Sequence, residues 1–146
     1  YRADNPLLRE VACRRWAAEH PERIQEYRRK QRKRLLKDGR NRASSAMSRC
    51  IRHSLKAGSK NGASWETLVG YTREELVVHL ERQFLRSMSW ENFGNEWEID
   101  HILPVSSFTF ASTHDPEFRA CWSLGNLRPL WRPDNRSKHA KRTHLI

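Results

Sequence analysis

The sequence predicts an α+β protein in two parts: a basic, mainly helical extension over residues 1–60, and a compact domain over residues 61–146 that ends in two short strands and a helix. Three observations predict it. Charge is divided unevenly: residues 1–60 hold 18 Lys/Arg against 6 Asp/Glu, a net of +12, whereas residues 61–146 hold 10 against 11, a net of −1. Apolar residues recur at helical spacing through most of the first 84 positions. From Trp97 onward the pattern changes to short strand-like runs separated by loop and turn.

Residues 5–19 read as a first helix, with Leu8, Val11, Ala12 and Trp16 near helical spacing. His20-Pro21 interrupts it, because the residue before a proline avoids helical angles. Proline suits the first turn of a second helix over about 22–37, and Asp38-Gly39 stops it. That helix has only a thin apolar stripe, Ile24, Tyr27 and Leu35, so it buries little and is either a solvated arm or a strip that lies against phosphates, two readings that do not exclude each other. A third helix is expected over 41–57, with Ala46, Cys50, Ile51 and Leu55 facing inward. The stretch 58–64, Gly-Ser-Lys-Asn-Gly-Ala-Ser, is a loop by composition and the expected hinge between the two parts.

Thr72 and Glu75 form a capping-box pair that starts a fourth helix, in which Leu76, Leu80 and Phe84 recur every four residues. His79 lies beside that stripe and reads as a surface or half-buried histidine. Met88, Trp90, Phe93 and Trp97 form an aromatic-rich connection destined for the core. A strand is expected over Glu98 to Leu103, ended by Pro104. Some 20 residues of loop follow, with His114 as polar surface. A second strand is expected over Asn126 to Leu130, and Pro133-Asp134 starts a last helix.

The whole chain has 146 residues, a net charge of +11 and a pI near 10.3, which favours a polyanionic partner, nucleic acid above all. The lone cysteines at 13, 50 and 121 have no zinc-knuckle spacing and read as reduced, packed thiols, so no structural zinc is expected. No apolar run approaches the roughly 20 residues that cross a bilayer, so a soluble, cytoplasmic protein without a membrane partner is expected. The chain begins with Tyr1 rather than Met, which leaves open whether it is a fragment of a longer protein.

The chemistry-bearing residues lie between Trp97 and Arg142. Asp100-His101 ends the first strand, Asn126 opens the second, and Asn135, Lys138 and His139 share a face of the last helix at i, i+3, i+4. Histidine has a near-neutral intrinsic pKa and suits the base that deprotonates an attacking water. Asp100 and Asn135 offer hard oxygen ligands, suited to magnesium or manganese rather than zinc. An ideal pleat sends Asp100 and His101 to opposite sides, so a twist or bulge is needed for both to serve one site. Plainer readings stand beside these: a satisfied buried histidine, a turn residue after Gly125, a helix cap beside Pro133-Asp134.

In this order and spacing, Asp100-His101-Ile102-x-Pro104, Asn126-Leu127-x-Pro129-Leu130 and Asn135-x-x-Lys138 resemble the HNH endonuclease family, with asparagine in place of the last histidine. The phrases LVGYTREELVVHLERQF, MSWENFG, WEIDHILPVSSF and CWSLGNLRPLW extend the resemblance to phage-type and bacterial members over about 65–142. The resemblance implies a ββα-metal core around one Mg²⁺ or Mn²⁺ held by Asp100 and Asn135, with His139 as an additional ligand in some members. It implies His101 as general base and Asn126 as the residue that orients it and braces the loop. The implied activity is hydrolysis of DNA phosphodiester bonds, as a nick or a double-strand break, leaving 5′-phosphate and 3′-hydroxyl ends. One active centre cuts one strand, so a double-strand break calls for a homodimer, a larger protein complex or two encounters.

Candidate DNA contacts are Arg128, Arg136 and Lys138 near the site, and Arg28, Arg29, Lys30, Arg32, Lys33 and Arg34 on the basic helix, whose role is inferred from charge alone. The flanking cysteine pairs of many HNH proteins are absent, so the aromatic core has to hold the domain. Two further readings remain open: the nuclease module of a larger nucleic-acid-targeting effector, and a non-catalytic DNA-binding protein on the same fold.

Overall fold

The computed structural model describes residues 6–35, 37–55 and 62–138. It is α+β: among the described residues, seven helices accompany one two-stranded antiparallel sheet. The chain divides into two compact units, 1–37 and 38–146.

The first unit contains α1 (Pro6–Glu19) and α2 (Pro21–Leu35), broken at His20 as the His-Pro step predicts. No described side chain of either helix is buried; even Val11 and Trp16 are exposed. Local pairs at i, i+4 support these helices: Arg14 with Glu10, Arg15 with Glu19 and Lys30 with Glu26. Water screens such exposed pairs, so each contributes little.

The second unit begins earlier than the hinge expected at 58–64. Asp38 does not merely stop α2; its carboxylate accepts the Arg40 N–H at 2.9 Å and caps α3 (Gly39–Ser54). The buried stripe of α3 is Ala43, Met47, Ile51 and, just past its end, Leu55. Cys50, expected inside, is exposed, and Ala46 is only half-buried. The helix is rotated so that a perfect four-residue repeat faces the core. Arg42 then fixes α3 to the aromatic segment through bonds to the carbonyls of Trp90 (3.0 Å), Glu91 (3.2 Å) and Phe93 (3.2 Å). Burial of that stripe is why the boundary falls at 37/38 and not at 60/61.

Two short helices complete this layer. Ser64 caps α4 (Trp65–Val69), and Gly70, at φ +82°, ends it in the left-handed conformation. The Thr72–Glu75 capping box starts α5 (Arg73–Glu81) as the sequence predicts. Leu76 and Leu80 are buried, but α5 stops before Phe84, whose ring still reaches the core from the turn. Phe84, Trp90, Phe93 and Trp97 pack with ring centroids 4.9–6.1 Å apart, mostly edge-on or tilted. Their polar tips are satisfied: the Trp97 indole N–H donates to the Ser89 carbonyl and that of Trp90 to Glu81, each at 2.7 Å.

Strand β1 (Trp97–His101) starts from this cluster and pairs with β2 (Leu127–Trp131), His101 lying opposite Leu127 and Trp97 opposite Trp131. Both strands are a residue or two displaced from the expected spans. The connection between them holds α6 (Pro116–Cys121), read from sequence only as loop, with Pro116 in its first turn. The last described element is α7 (Arg132–Lys138), which contacts both strands. No helix among the described residues is long and apolar enough to cross a membrane.

Candidate active site

A strand sends alternate side chains to opposite faces. In β1, Glu98 and Asp100 therefore share one face, and α7 lies against it: Asn135 Nδ2 donates to Glu98 Oε2 at 3.0 Å, and Lys138 Nζ lies 2.8 Å from each oxygen of Asp100. The spacing of Asn135 and Lys138 on the helix thus matches that of Glu98 and Asp100 on the strand. Arg132, at the start of α7, pairs with Glu98 at 3.2 Å.

Asp100 and Lys138 are each only 6 % exposed, so their pairing is internal. The ammonium also donates to the His101 carbonyl. From the neighbouring strand, Arg128 sits opposite Asp100 in register and donates its Nε–H to Oδ2 at 3.0 Å. Arg128 and Lys138 are expected from sequence to face phosphate; here both are turned onto Asp100.

His101 points away from that cluster. The register runs unbroken along both strands, so no bulge brings its ring to the Asp100 side. The imidazole packs edge-on against Trp122, with centroids 4.5 Å apart at 82°. Its Nε2 is buried and makes no hydrogen bond among the described residues. Burial pushes the pKa down from near 6.5 to about 4; the Asp100 charge acts against this and Lys138 adds to it. The ring is therefore neutral at pH 7, below the near-neutral value read from its residue type.

Asn126 is buried and braces the loop, as expected. Its Oδ1 accepts the Leu103 N–H at 2.8 Å, and its Nδ2 donates to the carbonyls of Leu103 (3.1 Å) and Cys121 (2.9 Å). Those three bonds engage main chain, not the His101 ring. Cys121 is buried and its thiol is pushed up to about 12 by burial. His79, half-buried, lies with Nε2 2.8 Å from the Leu127 carbonyl, tying α5 to the start of β2.

Arg136 is exposed and lines an open cleft of about 660 Å³ with Asn95, Glu96, Trp131, Arg132 and Pro133; neither Asp100 nor His101 lines it. Arg28, Arg29, Lys30, Arg32, Lys33 and Arg34 are all exposed on α2. His139 lies outside the described residues. The sequence reading missed Glu98, although its place two residues before Asp100 on a strand was signal enough. It also missed Trp122 as the partner of His101, which no local pattern announces.

The oxygens of Asp100, Glu98 and Asn135 suit a hard divalent cation in kind. Among the described residues no group of three or more His, Cys, Asp and Glu side chains is placed to hold one by themselves.

The chain is 33% identical over 98 residues, 65% of its length, to an uncharacterized protein of Acanthamoeba polyphaga mimivirus, of which the match covers 42%. A second uncharacterized protein of the same virus is 30% identical over 90 residues, 58% of this chain and 38% of that one. The matched region thus spans less than half of either relative. No family model and no solved structure matches the chain.

Proposed function

We propose that this chain is a metal-dependent endonuclease that hydrolyses DNA phosphodiester bonds. The observation that carries the reading is the crossing of α7 over two paired strands, which sets Glu98, Asp100, Asn135 and Lys138 on one face, with His101 next to Asp100 in the strand and its ring turned to the other face. Asp100 and Asn135 are the residues that would hold a divalent cation, with the Glu98 carboxylate beside Asn135. Such a cation neutralises phosphate charge and makes a bound water more acidic. His101, unprotonated at neutral pH, keeps a ring nitrogen able to take the proton from an attacking water. Asn126 holds Leu103 and so fixes the main chain that follows His101. The exposed cations of α2 supply sequence-independent affinity for the phosphate backbone.

One observation favours a second reading, a DNA-binding protein without catalysis: both oxygens of Asp100 are already held by cations of the chain itself. Supercoiled plasmid incubated with the protein and Mg²⁺, Mn²⁺ or a chelator separates the two. The nuclease reading expects nicking that requires the metal. His101→Ala should slow it by about 10²–10⁴ while DNA binding persists. Asp100→Ala should lose activity that high Mn²⁺ partly restores. Salt-sensitive plasmid binding with no nicking under any metal would establish the second reading instead.

A further inference from the structure

We infer that the Lys138 ammonium is the resident counter-ion of Asp100 and that a divalent cation displaces it, so that cation binding and release of Lys138 are one event. This rests on the reading of Asp100 as a metal ligand.

An ammonium has three N–H donors and no acceptor. At Lys138 all three find oxygens: Oδ1 and Oδ2 of Asp100, each at 2.8 Å, and the His101 carbonyl. The group is thus held as a small cation is held, by a carboxylate from both sides and by main-chain oxygen. The side chains are 3 % and 7 % exposed, so neither charge has water to fall back on. Arg128 adds a second positive charge on Oδ2 at 3.0 Å. A single carboxylate facing two cations of the chain leaves local charge positive, and a divalent ion entering beside both is repelled at close range.

Of the two, Lys138 is the one built to leave. Arg128 stands in the strand, in register with Asp100, and its planar guanidinium is fixed by that pairing. Lys138 stands on α7, outside the paired strands, and its ammonium rides on a flexible four-carbon stem. Its departure removes one positive charge from Asp100 without breaking the strand pair. The ammonium released at the same place is then free for an anionic phosphate oxygen, which connects its buried position here with the phosphate contact expected from sequence.

The test uses the whole chain and Mn²⁺ as probe. In Lys138→Met, which keeps the stem and removes the charge, the melting midpoint in chelator should fall, since buried Asp100 keeps only Arg128 of its two cationic partners. Mn²⁺ should then raise that midpoint saturably, at concentrations about tenfold or more below those that act on wild type. A variant midpoint no more responsive to Mn²⁺ than that of wild type overturns the inference and leaves Lys138 a structural residue. Wild type supplies a second measurement should the variant not fold. Acylation of lysines, mapped by mass spectrometry, should find Lys138 protected in chelator and several-fold more reactive at saturating Mn²⁺. Unchanged labelling at saturation overturns the inference, and metal-dependent nicking by the same protein would leave the nuclease reading standing. Release of Lys138 by Mn²⁺ without any nicking would uphold the inference and remove the nuclease reading.

Discussion

The Asn126 side chain and the Leu103 main chain bind each other in both directions, Leu103 N–H donating to Oδ1 at 2.8 Å and Nδ2 donating to the Leu103 carbonyl at 3.1 Å. The pair closes the sheet end where β1 runs out. The Asn126 carbonyl accepts the Ile102 N–H at 2.8 Å, so three bonds join two successive residues after His101 to one residue before β2. A side chain read from sequence as orienting the histidine is, in the structure, what fixes the chain on which the histidine stands.

Asn126→Ala is therefore expected to destabilise the protein by about 2–4 kcal/mol, because polar main-chain groups that it satisfies lose their partner. Asn126→Asp keeps the acceptor but turns a carboxylate oxygen toward two carbonyls, and should do no better. Urea unfolding followed by tryptophan fluorescence measures it. An alanine variant as stable as wild type, with cleavage alone lost, would return Asn126 to a purely catalytic role.

Gly39 and Trp90 supply an opposite-sign test. A Cβ at Gly39 would stand 1.9 Å from the Trp90 carbonyl oxygen and 2.6 Å from its carbon, main-chain atoms that cannot swing aside. Helix propensity alone makes Gly→Ala a gain of up to about 1 kcal/mol. The packing predicts a loss of about 2 kcal/mol or more for Gly39→Ala. A stabilised variant in thermal melts would show that α3 does not dock on the aromatic segment.

Local chemistry was legible in the sequence at several elements, though α4 and α6, which also carry local start signals at Ser64 and Pro116, were not read as helices. The Thr72–Glu75 box, the break at His20-Pro21 and the two short strands stand within a residue or two of their expected places, since caps and proline act over neighbouring residues. The face of α3 was not legible. Ala46 and Cys50 satisfy helical spacing as well as Ala43 and Met47 do, and only the docking of Arg42 and Gly39 on residues about 50 positions away chooses between them. The same holds at the site. Asp100, His101, Asn126 and Asn135 could be named as candidates, but not that Lys138 and Arg128 would close on Asp100 or that Trp122 would cover His101, because both depend on residues brought together from distant parts of the chain.

Truncation tests the boundary that follows from α3. Removing 1–37 takes away two helices with no buried described side chain and should leave the melting midpoint of the rest nearly unchanged. Removing 1–60 also deletes Ala43, Met47, Ile51 and Leu55 from the core and should unfold it. If α2 supplies DNA affinity, the shorter truncation should also flatten the dependence of log affinity on log salt. An undiminished slope would refute that role without touching the boundary.

The buried ring of His101 gives the protein a pH dependence whose direction is fixed. Its pKa is about 4 in the folded chain against about 6.5 in the unfolded one, so between these values the unfolded chain binds more protons. Stability therefore rises with pH across that window: the contribution is complete above 6.5 and is lost as pH falls toward 4. At a site partly open to solvent the loss should reach roughly 1–3 kcal/mol. Carboxylates also titrate near the acid end, so the comparison has to be with His101→Asn, which removes this ring and leaves the rest. In chelator, urea unfolding of both proteins from pH 7 to 4 should show wild type losing more stability than the variant. Trp122→Leu, which uncovers the ring, should fall between them. Parallel curves for wild type and His101→Asn would mean that the ring titrates freely in the folded protein, and the burial against Trp122 would have to be given up.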